Sequence, residues 1–384
     1  MAQLNKNVNL IGPINPTGYG VHFTNLVYSL LGILSDYSNV RILNIGGVPN
    51  HPWLKLKECE KKLHNKPKDI TIKLWHDNDL VLDNNTYNIA YTVFELDRFE
   101  RPTQIADPRI NEIWVATQWA KTIVEKHLGD NKKPVFVVPE GVCSASFPFD
   151  QYRIKRDEAE HLFYQYSGAI SIGKFEKRKG HELLLDIWRY IDVPLTCLWH
   201  NPFIKKEDII KRIAHYGWIV GNTIKKHLGV GATFYQFWHK NGYTPITVCL
   251  DFLEKHDYQH LISQQQFGVF PYFAEGWNLP LIECMSIGMP CIATNYSGPT
   301  EYINDDNCVL LNKFKMEVAS DGVFFGSKEA MWAVPDETEL INAILQGIDQ
   351  KTITISKNLE KFCDKWRWEN AARIMLTRIN KIEL

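Results

Sequence analysis

The residues with the most chemical content lie at 275–283, EGWNLPLIE. The apolar run Phe267–Pro271 before them reads as a short buried strand. After them, Pro280-Leu-Ile-Glu-Cys-Met-Ser-Ile places apolar side chains at helical spacing, with Gly288 and Pro290 as the stop. Pro280 suits the first helical position, which needs no amide hydrogen. A strand, a turn through Gly276 and a helix N-terminus aim free backbone N–H groups and a partial positive charge at an anion. Glu275 in the turn and Glu283 in the helix flank that spot. Carboxylates repel phosphate, so their natural partners are hydroxyls beside it. A ligand with phosphate in the middle and hydroxyls at both ends has the pattern of a nucleotide-sugar.

A second cluster, SIGKFEKRKGHELLL at 171–185, puts a basic loop between a strand ending at Gly173 and a helix starting near Gly180 and His181. Lys174, Lys177, Arg178 and Lys179 stand in it against one acid, Glu176. Cations at the C-terminal edge of a parallel strand are placed to neutralise a diphosphate; alone, such a loop is more often a solvated surface feature. Near the N-terminus Pro16-Thr-Gly-Tyr-Gly20 lies where a strand runs into a helix, and Gly18 and Gly20 there allow close approach of a phosphate or sugar, or simply a tight turn. Glu95, at the end of Ile89–Phe94, is a carboxylate able to accept acceptor-hydroxyl bonds or act as a base, or a surface group paired with Arg98 or Arg101. His76 and His22 are further histidines near strand ends or the Gly-rich loop, and no histidine shows metal-ligand spacing.

The elements that must hold these residues alternate. Strand-like segments at Val8–Gly12, Val40–Asn44, Ile70–Trp75, Ile89–Phe94, Glu112–Ala116 and Val135–Val138 are interleaved with helical ones from Val21 to about Leu34 and Gln118 to about Leu128. The plan repeats at Ala169–Gly173, Leu195–Trp199, Ile246–Leu250, Gly268–Pro271 and Cys291–Thr294. This pattern predicts an α/β chain of two doubly wound Rossmann-like domains facing each other across a cleft. The expected boundaries are residues 1–148, a polar connection at 149–166, and 167–363, with a C-terminal helix at about 364–384 docking back on the first domain.

At 384 residues, 45% hydrophobic and 23% charged with a net charge of −1, the chain predicts a globular protein without general affinity for nucleic acid or anionic membrane. Its eight cysteines form no CxxC pair and several sit in apolar runs, as in a reducing compartment. No apolar stretch approaches the ~20 residues of a membrane span, and the first strand begins too near Met1 for a signal peptide. The expectation is a cytoplasmic protein, compatible with a homodimer.

The motif pair GKFEKRKG and EGWNLPLIECMSIGMPCIATNYSGPTE resembles the retaining glycosyltransferases of family 4, group 1 glycosyl transferases with the type B fold. Glu275 and Glu283 match that family's glutamate pair, Ser286–Ala293 its small-residue strand, and Ser297-Gly-Pro-Thr-Glu301 the segment after it. PTGYG, Trp114-Val-Ala-Thr-Gln-Trp119 and Val137-Val-Pro-Glu-Gly-Val142 extend the resemblance into the first domain, and it is weakest over 45–85 and 200–245. The resemblance implies that Glu283 bonds ribose hydroxyls and Glu275 donor-sugar hydroxyls. It further implies that the amides of Gly276, Trp277, Asn278 and Leu279 hold the diphosphate and sugar, with Gly18, Tyr19 and Gly20 on the donor's other side. Lys174 and Lys179 correspond to the paired cations on the leaving diphosphate, though the family has arginine at the first position, so the bidentate fork is lost there. Glu95 stands where many members carry a histidine.

The implied reaction is metal-independent transfer of a hexose, with retention, to a hydroxyl of a glycan or glycoprotein, with no cofactor. The chain has no DxD-type acidic pair in a suitable loop, and cations with a helix N-terminus hold the leaving charge. GDP-mannose is the preferred donor and a UDP-hexose the next. An epimerase or hydrolase of nucleotide-sugars on the same scaffold is the alternative; a NAD-dependent dehydrogenase is disfavoured because no GxGxxG follows the first strand.

Overall fold

A computed structural model describes residues 2–45, 62–82, 85–143, 146–147, 168–242, 244–322, 325–347 and 354–384. The expected connection at 149–166 lies outside the described residues. The chain divides into two compact units, one of Met1–Cys143, Ser297–Glu301 and Asp364–Leu384, the other of Ser144–Tyr296 and Tyr302–Cys363.

The first unit is built on β1 (Val8–Gly12), α1 (Gly18–Ile33), β2 (Val40–Asn44), β3 (Ile70–Leu74), β4 (Tyr87–Thr92), β5 (Glu112–Val115), α2 (Gln118–Leu128) and β6 (Val135–Val137). The six strands form one parallel sheet in the order β2-β1-β3-β4-β5-β6. Residues of β1, β3 and β5 are buried on both faces, as continuous runs such as VNLIG and EIWV require. Two boundaries differ from expectation. Helix α1 starts at Gly18, so Gly18, Tyr19 and Gly20 form its first turn instead of a turn ahead of Val21. Strand β4 ends at Thr92, which leaves Phe94 and Glu95 in the loop beyond it.

The second unit follows with β7 (Ala169–Ile172), α3 (His181–Trp188), β8 (Leu195–Leu198), α4 (Lys206–His215), β9 (Trp218–Ile224), β10 (Phe234–His239), β11 (Ile246–Cys249), α5 (Lys255–Ser263), β12 (Phe267–Phe270), α6 (Leu279–Ser286), β13 (Cys291–Thr294), β14 (Val309–Leu311), β15 (Phe314–Ser320), β16 (Gly326–Pro335) and α7 (Glu337–Asn342). Its sheet runs β14-β13-β12-β7-β8-β11-β10-β9, parallel except for β10 and β9, which extend one edge antiparallel. The antiparallel extension and the β15–β16 hairpin are additions to the alternating pattern. In β9 only the first residue is fully buried, so no alternation marks it as a strand in the sequence.

Helix α8 (Trp368–Lys381) returns to the first unit and packs on α1. Its buried stripe is Trp368, Ala371, Ala372, Met375, Leu376 and Ile379. Arg378 reaches from its last turn to the fully buried Glu112 of β5 through two bonds, of 2.9 and 2.6 Å. Among the described residues no helix is long and apolar enough to cross a membrane.

Candidate active site

In the second unit the basic loop and the EGWNLPLIE turn lie side by side because β7 and β12 are neighbours in the sheet. The loop between β7 and α3 makes a helical turn at Lys177–Lys179 and ends on Gly180 at φ 72°, the left-handed region. A Cβ there would stand 2.1 Å from the Pro271 carbonyl oxygen, so only glycine lets the loop lie this close to the end of β12. The Phe273 amide donates to the Arg178 carbonyl at 2.7 Å and locks the two segments together. From the other side, the β15–β16 hairpin is tied in by the Ala333 amide, which donates to the Phe273 carbonyl at 2.9 Å, and by Lys177, whose Nζ donates to the Ser320 carbonyl at 3.1 Å.

The charged side chains form an alternating row. Lys174 Nζ lies 2.9 Å from Glu176 Oε1, and Arg178 Nη2 donates to Glu176 Oε2 at 3.0 Å. Arg178 Nη1 donates to Glu275 Oε2 at 2.8 Å, and Lys179 Nζ pairs with Glu275 Oε1. Glu176, Arg178 and Glu275 are buried, while the Lys174 side chain is 41% exposed. Three cations against two carboxylates leave the row with one net positive charge. Sequence reading placed Lys174 and Lys179 together; in the fold only Lys179 touches Glu275, and Lys174 is linked through Glu176 and Arg178. Arg178 is the residue that reading missed. It was visible as one of four cations, but nothing in the sequence told which of them would be buried between two acids.

Burial pushes the Glu176 carboxyl up, yet Arg178, Lys174 and Lys179 outweigh it and hold it below its ordinary value. Burial pulls the Lys179 ammonium down, Arg178 adds to that, and Glu275 opposes both without cancelling them. Burial, with Lys179 and Arg178, holds His181 well below the usual imidazole range, so it is neutral; it stacks on Trp199 at 4.5 Å.

Asn278 takes a left-handed backbone (φ 73°) and caps α6, its side chain accepting from the Leu281 amide at 3.3 Å. The helix starts at Leu279, which makes Pro280 its second residue instead of its first. With Pro280 lacking a donor and Leu281 capped, the helix's own spare donor is the Leu279 amide. Trp277 is buried on Tyr302, ring centroids 5.0 Å apart. The Tyr302 hydroxyl donates to the Trp277 carbonyl at 2.7 Å and the Asn278 carbonyl at 3.1 Å, which turns the carbonyls of this turn inward. One turn along α6, half-buried Glu283 accepts from the Tyr258 hydroxyl at 2.7 Å. Burial pushes its carboxyl up to about 7, against the opposing pull of Tyr258 and Lys255.

The remaining predicted residues lie in the first unit. The Gly18 Cα faces open space, whereas a Cβ on Gly20 would collide with the Asn15 backbone and side chain at 2.1–2.7 Å. Gly20 thus serves the packing of the preceding loop. Tyr19 lies against His76 (ring centroids 4.6 Å) and Trp75 (5.8 Å), and its hydroxyl donates to the Val93 carbonyl. Burial, then the Glu95 charge, raise the Tyr19 hydroxyl far above its ordinary value and keep it a donor. Glu95 is half-buried, and Arg98 Nε stands 3.9 Å from Asp97. His22 is buried against Tyr91 and Trp368, with Nδ1 3.4 Å from the buried Glu140. Among the described residues no three His, Cys, Asp or Glu side chains converge on a metal-sized site.

Residues 168–349 match the model of the family described as glycosyl transferases group 1. No curated protein matches the chain in sequence. Solved structures share its fold over nearly the whole length. The sucrose-phosphate synthase of Thermosynechococcus elongatus is 14% identical with a TM-score of 0.62, covering 98% of this chain and 99% of that one. A glycosyltransferase of Rickettsia africae is 13% identical at 0.59, covering 99% and 100%. Anabaena HepE, solved in complex with UDP-glucose, is 12% identical at 0.61, covering 98% and 99%. The chain therefore has the two-domain fold of these glycosyltransferases, and its segment 168–349, which holds the Glu275 site, matches the model of the group 1 glycosyl transferases.

Proposed function

We propose that this protein is a retaining hexosyltransferase that moves a sugar from a nucleotide-sugar to a hydroxyl of a glycan or glycoprotein. The observation that carries the proposal is the Glu275 carboxylate held by Arg178 and Lys179 at the N-terminus of α6, with Glu283 one turn further on. In this reading Glu283 receives the ribose hydroxyls and Glu275 those of the donor sugar, while the Leu279 amide and the net positive row meet the diphosphate. As the bond from the anomeric carbon to the phosphate oxygen breaks, negative charge grows on the nucleoside diphosphate beside Lys174, Arg178 and Lys179. The acceptor hydroxyl attacks from the face the phosphate leaves, and its proton passes to the departing phosphate, so configuration is retained. Because the countercharge comes from side chains, the reaction is proposed to proceed without a metal ion, and turnover in excess chelator tests that part.

GDP-mannose is the proposed donor. A UDP-hexose is the second reading, favoured by the UDP-glucose held in the similarly folded HepE. Calorimetry with GDP-mannose, UDP-glucose and UDP-N-acetylglucosamine separates them. One donor is expected to bind with micromolar affinity, and silence from all of them would sink the proposal. Glu275→Ala is expected to lose at least about a hundredfold in kcat/KM, the scale of one preorganised polar contact; near-normal turnover in that variant would remove Glu275 from the mechanism.

A further inference from the structure

A polar hollow of about 540 Å³ opens in the second unit at the sheet edge opposite to Glu275. Helix α3 begins beside the basic loop and runs back along the sheet, so Asp186 in its last turn and Arg189 and Tyr190 just after it lie at the far end. The end of α4 and the end of β10 complete the walls, and the Phe237↔Ile246 pairing puts the end of β10 beside the start of β11, the N-terminal edge of the parallel strands.

Tyr190 is 67% exposed, with the Arg189 guanidinium 4.9 Å from its ring centroid. The Arg189 Nε is buried and has no hydrogen-bond partner. His239 is buried, and its Nδ1 accepts the Asn241 amide at 3.2 Å, so in the neutral ring Nε2 carries the hydrogen. Burial first, then Arg189 and Lys240, lower its pKa and favour that neutral form. Gly217, at φ 83°, brings the chain so close that a Cβ would stand 2.8 Å from His239 Nε2.

The charges here nearly balance. Arg189 and Lys240 face Asp186 and the C-terminal ends of α3 and α4, each helix end worth about half a negative charge. Such a site gives a phosphate ester no net attraction. It offers instead donors (the half-buried Arg189 guanidinium, His239 Nε2), acceptors (Asp186, helix-end carbonyls) and an exposed aromatic face, the mixture that a ring with an apolar C–H face and many hydroxyls requires. We infer that this hollow is a second sugar site, taking a neutral pyranose unit of a glycan on Tyr190, with Arg189, Asp186 and His239 meeting its hydroxyls. The inference rests on the transferase reading, since a protein that extends or decorates glycans has use for a foothold away from its donor.

Saturation-transfer NMR and calorimetry on the full chain with maltohexaose, chitohexaose and a mannohexaose test it. One of these is expected to bind, and Tyr190→Ala is expected to weaken it at least about tenfold, as the loss of one ring contact implies, with nucleotide-sugar affinity unchanged. Asp186→Asn, which keeps the side-chain volume, is expected to weaken the same sugar through loss of a charged acceptor. The inference is overturned if none of the three binds, if both variants bind as the parent does, or if glucose 6-phosphate binds more tightly than every neutral probe. Absence of nucleotide-sugar binding would instead strike the transferase reading, while the oligosaccharide results still decide the hollow.

Discussion

At the scale of single residues, Arg178 decides how the charged row holds together. Its fork bridges Glu176 and Glu275, both buried, so removing it leaves two carboxylates with one lysine each. Arg178→Ala is expected to cost about 3–5 kcal/mol of stability, the range for breaking a buried pair, measured by urea unfolding. Arg178→Lys keeps the charge but cannot span both acids, and is expected to raise the donor KM while losing less stability. Glu283 carries the pH dependence. Its carboxyl stands at about 7 in the fold against an ordinary 4.5, so between those values the folded protein holds a proton that the unfolded chain has released. Its contribution to stability is therefore complete below about pH 4.5 and is lost as pH rises toward 7. Donor binding runs the opposite way if the ionised group accepts ribose hydroxyls. Affinity should climb up to about pH 7 and then level, and Glu283→Gln should flatten that profile in calorimetry across the same range.

At the scale of elements, the basic loop owes its position to one glycine and one hairpin. Gly180→Ala puts a methyl group 2.1 Å from the Pro271 oxygen at a left-handed φ, so the loop must move. The expected result is a loss of about 1–3 kcal/mol, with a weaker donor affinity, seen together in thermal melts and calorimetry. A melt displaced without any change in donor binding would separate the loop from the site. The sequence announced this loop through KFEKRKG next to an apolar strand, and announced α6 through EGWNLPLIE and its Gly and Pro stops. The β15–β16 hairpin was illegible. Its outer face is largely exposed, and its value to the loop lies in contacts between residues about 140 positions apart, such as Lys177 with Ser320.

At the scale of the whole molecule, the chain's end completes its beginning. Helix α8 packs on α1, and Arg378 neutralises Glu112, which has no exposure at all and also accepts from the Trp114 indole. Arg378→Met leaves that carboxylate buried with only neutral donors and is expected to lower the unfolding free energy by about 3–5 kcal/mol. If the first unit melts separately from the second, calorimetric scans should show the loss in one transition only. An unchanged scan would mean that the Arg378–Glu112 pair adds nothing to the stability of the first unit.

By itself the sequence determined the alternation of elements, because strands buried on both faces and helices with one apolar stripe leave periodic traces that need no partner to be read. It also determined the chemistry on offer at 174–179 and 275–283, since a glycine turn, a proline-led helix and paired acids are local devices. Only the tertiary structure decided which cation lies between which carboxylates, why Gly20 and Gly180 must be glycines, and which residues share the hollow with Tyr190 and His239. Those outcomes depend on strand order, β12 beside β7 and β10 beside β11, and strand order is settled by packing between residues far apart in the chain.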